Sequence, residues 1–184
     1  MTRLLATITV FIALGLTACA ADSGPSLAGS KSPAQLLRTE TVDRLPDYLF
    51  AEPEAFGDVS VSCREVDEDP NQLYRSWQST AEIVVFDAAT MNIDTVVDDL
   101  VETFIEQGWV DRSLGEAGVQ HSRFIANESS HTLLRVTSEP LGIDALAVTD
   151  EGADGARIVV ESTGPCVLTD GPDSDEVKKL EKRS

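Results

Sequence analysis

NIDTVVDDLVETFIEQG, residues 92–108, decides the fold. Ile93, Val96, Val97, Leu100, Val101, Phe104 and Ile105 recur at the i, i+3, i+4, i+7 spacing of a helix with one buried stripe. Asn92 is placed to cap its start, and Gly108 to stop it. The flanking sequence alternates with a period near two instead. One strong amphipathic helix among strand patterns predicts an α+β domain. Its antiparallel sheet should have about six or seven strands, with one or two helices packed on one face.

Working outward, Val59, Val61 and Cys63 alternate with Ser60, Ser62 and Arg64, a strand pattern with Cys63 turned inward. Asp67 to Asn71 reads as a turn, and Trp77 to Phe86 as a second strand. After the helix, Trp109 opens a strand, with a turn near Gly115–Gly118 and a return strand to Ile125. Asn127–Ser130 is another turn before a strand over Thr132–Ser138. Ile143–Thr149 and Arg157–Thr163 look like hairpin arms joined by the glycine-containing Asp150–Gly155. Upstream, Ser32-Pro33 has the form of a helix start, with the helix running to Arg44 and stopping before Pro46. Leu37, Thr41 and Leu45 share one of its faces. The resulting division is a leader over 1–18, a tether over 19–31, a domain over 32–170 and a charged, frayed tail over 171–184.

The leader has its own signature. Arg3 precedes an uncharged, mostly apolar run from Leu4 to Leu16, too short for the roughly 20 residues that span a bilayer. It ends in Leu16-Thr17-Ala18-Cys19. This segment resembles the lipobox of bacterial lipoproteins at every position. The resemblance implies cleavage before Cys19 and lipidation of its thiol, with the chain held through that anchor on the extracytoplasmic face of the cell membrane. Two or three acyl chains hold stably where one is marginal. The acidic tether and late cysteine pair also look like small envelope lipoproteins of actinobacteria.

Charge and cysteine usage narrow the field further. The chain carries 14 Lys and Arg against 32 Asp and Glu, a net charge of −18. Loss of the leader removes one positive charge more. Such acidity argues against nucleic acid, whose affinity rests on basic contacts to phosphate, and against electrostatic adhesion to anionic lipid. With Cys19 assigned to lipid, Cys63 and Cys166 form an even pair, and an exported setting permits a bridge between them. It would close a loop of about 100 residues, contributing about 4–5 kcal/mol in the chain-entropy account. No CxxC spacing points to redox chemistry or zinc.

No catalytic, cofactor or metal motif stands out. His121 and His131 lack zinc-hydrolase spacing and read as ordinary strand histidines, although a hairpin could bring them together. GxSxG, SxxK, GxGxxG and the P-loop are absent. Asp94, Asp98, Glu102 and Glu106, with Asp99 beside them, form an acidic stripe on the long helix. It reads as a solvated face more readily than as a landing strip for a cation. Asp150–Asp154 lacks the EF-hand pattern. Trp77, Trp109, Tyr48 and Tyr74 would make a binding platform if exposed together, but packing is the simpler expectation. The sequence therefore predicts an envelope lipoprotein that binds or scaffolds an envelope protein or small ligand. The alternatives are an envelope hydrolase with a site assembled from distant residues, and a sensor or accessory subunit of a membrane complex.

Overall fold

Buried residues alternate along the central strands. In β2 (Tyr74–Val85), from Trp77 onward, they are Trp77, Ser79, Ala81, Ile83 and Val85; in β6 (Ala156–Thr163), Ala156, Ile158, Val160 and Ser162; in β5 (Thr132–Pro140), Thr132, Leu134, Val136 and Ser138. This period of two commits one face of each strand to a core. The computed structural model describes residues 25–49, 55–85, 92–113, 121–140 and 155–182. With β1 (Ala55–Ser62), β3 (Val110–Asp111), β4 (His121–Asn127) and β7 (Val167–Leu168), these strands form a seven-stranded antiparallel sheet. Its order is β1-β2-β6-β5-β4-β3, and β7 pairs the first residues of β2.

Two helices cover one face. α1 (Leu27–Asp43) lies over β2 and β6, and α2 (Ile93–Ile105) over β4 and β5. α2 begins where expected: the Asn92 side chain accepts from the Thr95 amide, and Gly108 takes the left-handed conformation after the helix, at φ 93°. Its stripe of Val97, Leu100, Val101 and Phe104 joins Leu37, Ile83, Ile125, Leu134, Ile158 and Val160 in the main core. Each such side chain contributes roughly 1.5–3 kcal/mol by leaving water. The α+β class and the strand number agree with the sequence pattern. Ile143–Thr149, Phe86, the Gly115–Gly118 turn and the leader with Cys19 lie outside the described residues.

Three local expectations need correction. α1 begins at Leu27, not Ser32, so residues 27–31 belong to a helix rather than a tether. Ser26 is its cap, and Pro33 lies inside it. Complete burial of Leu27 and Ser30 outweighs the ladder bond lost at the proline.

The facing of β1 is also reversed. Asp58 and Ser60 point toward the helices, while Val59 is 47% exposed on the other face. The polar side chains have partners there. Asp58 accepts from Gln35 (2.7 Å) and the Trp77 indole (3.2 Å), and Ser60 accepts from Arg75 (2.6 Å). Burial pushes the Asp58 carboxyl up, but the hydrogen bonds from Gln35 and Trp77 and the charge of Arg38 outweigh it and hold the carboxyl below its usual range.

The tail is not frayed over its helix α3 (Asp175–Glu181). Val177 is buried with Leu27, Ala34, Trp77 and Val167 in a second small core. Glu176 accepts from the Leu27 amide (3.1 Å), and Glu181 from the Ser60 amide (3.1 Å). Buried Val177, with the partly buried Leu180 packed beside it, supplies the apolar anchor that the charged sequence conceals.

Candidate functional site

The face of the sheet away from α1 and α2 carries a groove of about 1020 Å³ at one end. Its floor crosses the sheet through Val61 of β1, Ser76 of β2, Thr163 of β6, Leu133 of β5 and Ala126 of β4. These are the strand positions opposite in parity to the core. One wall is Gly164-Pro165-Cys166, held by the Cys63–Cys166 disulfide with its Cα atoms 5.9 Å apart. The other is the turn from Asn127 to His131. A smaller hollow bounded by Gln78, Phe124, Arg135 and Glu161 shares Leu133 and Thr163 with it.

The lining is nearly free of net charge. No lysine or arginine is among the lining residues, and the carboxylate of Glu128 is tied to Arg112 at 2.8 Å. Val61, Ala126, Leu133, Pro165 and the bridge supply apolar surface; Ser62, Ser76, Thr132 and Thr163 supply hydroxyls. Ser76 is 1% exposed, and its hydroxyl has no hydrogen-bond partner among the described residues. His131 stands exposed at the rim with φ 53°, a left-handed conformation uncommon away from glycine.

Gly164 fixes the position of the disulfide-bearing wall. A Cβ there would come 2.0 Å from the Ser30 carbonyl oxygen, so only glycine permits this approach of β6 to α1. The Gly164 amide donates to the Trp77 carbonyl (2.9 Å), and the Trp77 amide donates to the Ser30 hydroxyl (2.9 Å).

A second polar cluster links α2 to the far edge of the sheet. Arg123 donates to Asp98 (2.7 Å), Asp111 (2.8 Å) and Glu102 (3.2 Å), and His121 Nε2 lies 3.0 Å from Asp98. Asp94 accepts from the Ser138 hydroxyl. Burial works against the Arg123 charge, but the carboxylates outweigh it and raise its pKa. Burial likewise raises Asp98, yet bonds from Arg123 and His121 hold it low. Asp111 is held low first by its bonds from Ser113 and then by Arg123. Most of the acidic stripe is thus occupied by partners within the chain rather than by solvent alone.

Comparison with known proteins gives no match: no family model, curated protein or solved structure fits the chain. The site is therefore read from its residues.

Of the residues singled out from sequence, the structure joins Cys63 to Cys166 and separates the histidines. His121 begins β4 and His131 follows the turn at its other end, roughly 20 Å of strand away at about 3.4 Å per residue. The aromatics form no shared platform. Trp77 is fully buried, Trp109 packs edge-on against Phe104 at 5.4 Å, Tyr74 lies under Arg64, and Tyr48 is exposed in the short turn after α1. Among the described residues no group of three metal-binding side chains occurs, and no helix is long and apolar enough to cross a membrane. Asp150–Asp154 lies outside the described residues. The groove was missed because its floor comes from five strands. Its only local signals are Gly164-Pro165-Cys166 and the polar turn ending at His131.

Proposed function

We propose that the chain is an envelope lipoprotein, anchored through Cys19 on the extracytoplasmic face of the cell membrane, that acts by binding a ligand in the groove beside the disulfide. The groove carries this reading. Its volume matches that of small-molecule sites, and its mixed apolar and hydroxyl lining is of the kind that buries a ligand while orienting it. The lipobox supports the location and the acidity supports exclusion of nucleic acid.

A second reading, an envelope hydrolase, draws support from His131, Glu128 and several hydroxyls lining one groove. It is the weaker of the two, since Glu128 is engaged by Arg112 rather than orienting the imidazole. An accessory role in a membrane complex would use the same face for a protein partner.

Leu133→Trp fills the groove from a position that is 36% exposed, so the fold should tolerate it. Small molecules that co-purify with the full chain from its own cells, identified by mass spectrometry, should be lost in this variant. Equal recovery from both chains would overturn the groove as the binding site.

A further inference from the structure

We infer that the ligand of this groove is an uncharged amphiphile drawn from the membrane surface, an apolar chain carrying a neutral hydrogen-bonding head. The inference rests on the proposed anchoring and binding role and adds the ligand's chemistry and source.

Charge is the first observation. A protein of net charge −18 repels anions at long range, and the groove offers no lysine or arginine to hold one. A cation fares no better, because the one lining carboxylate is already paired with Arg112. Either charge would be desolvated against Val61, Ala126, Leu133 and the disulfide without a partner, which costs several kcal/mol. An apolar chain gains from the same surface. A neutral head can use the hydroxyl of Thr163 and the unpartnered hydroxyl of Ser76 at the floor.

Position is the second observation. The groove lies at the end of the sheet where β6 passes into Gly164, and Gly164 touches Ser30 in the first turns of α1. The chain before Leu27 leads back to Cys19. At no more than about 3.6 Å per residue, the eight steps between them reach at most about 30 Å. A lipid on Cys19 would therefore keep the groove's own end of the domain within about 30 Å of the bilayer, in reach of its surface.

The test uses the full chain in phosphatidylcholine vesicles with photoreactive diazirine probes of one chain length: an acylglycerol, a fatty acid and an alkyltrimethylammonium. Peptide mapping after irradiation should place the acylglycerol on Val61, Ala126 or Leu133, at least about ten-fold above either charged probe. Leu133→Trp should abolish that labelling, and Ser76→Ala should reduce it several-fold with no loss of thermal stability. Equal labelling of the groove by the fatty acid would overturn the uncharged class while leaving groove binding intact. Labelling in vesicles no greater than with the dissolved acylglycerol would overturn the membrane source. Absence of groove labelling by every probe would overturn the inference as a whole; the co-purification result for Leu133→Trp then decides separately whether the groove binds anything.

Discussion

On β5, Leu134 is fully buried beneath the helices, while Leu133, one residue earlier, is 36% exposed on the groove face. The same residue type serves two purposes because adjacent side chains of a strand point to opposite faces. Beneath the helices, Leu134 contributes to stability. Across the sheet, Leu133 contributes surface that the fold leaves available. The covered face is continuous apolar packing interrupted by paired polar groups such as Asp58. The open face mixes charges and hydroxyls, Arg157 bridging Glu139 and Glu82, with scattered apolar side chains such as Val59, and carries a weakly polar hollow at the disulfide end.

The largest expected effect breaks the two leucines apart. Leu134→Ala should cost about 2–5 kcal/mol in denaturant unfolding, and Leu133→Ala less than about 1 kcal/mol. Similar costs would mean that the two faces are not distinct. Removing the bridge with Cys63→Ser and Cys166→Ser should cost about 2–5 kcal/mol. Because the bridge walls the groove, the double variant should also lose groove labelling at temperatures where it remains folded; retained labelling would show that the wall stands without the bond.

A smaller effect concerns the ionic cluster under α2. The carboxyls of Asp98 and Asp111 are depressed in the folded chain, so their contribution is present above the unfolded value near pH 4. It is lost as pH falls through the lower folded values. Asp98 and Asp111 are 41% and 42% exposed at the side chain, so solvent screening keeps the effect modest. Melting temperature should fall less between about pH 5 and pH 2 in Arg123→Gln than in the parent chain. Parallel curves would remove Arg123 as the cause. The smallest change is expected at the rim. His131→Gly suits the left-handed backbone and should move stability by less than about 1 kcal/mol, read in the same unfolding assay.

These contrasts also mark what the sequence made legible. α2 was readable because seven apolar residues keep helical phase and both ends carry their own signals. β5 and β6 were readable because alternation survives where one face is dry. β1 misled because its valines lie on the open face while Asp58 and Ser60 satisfy buried partners. Those partners, Gln35, Trp77 and Arg75, are not sequence neighbours. The start of α1 was concealed by Pro33, which normally marks a first turn, and docking of α3 rests on Val177 and Leu180 among charges. The acidic stripe of α2 looked solvated because Arg123 and His121 reach it from β4, which lies later in the sequence. The groove needed the whole strand order before its parts became neighbours.

The bond from Glu181 to the Ser60 amide has one more consequence. β1 is the outer strand of its side of the sheet, and an uncovered edge amide invites a strand from another molecule. The last helix covers that edge at Ser60 with a carboxylate, so the C-terminal turn occupies an amide that a foreign strand would need. A chain cut before Asp175 would leave that amide without its carboxylate.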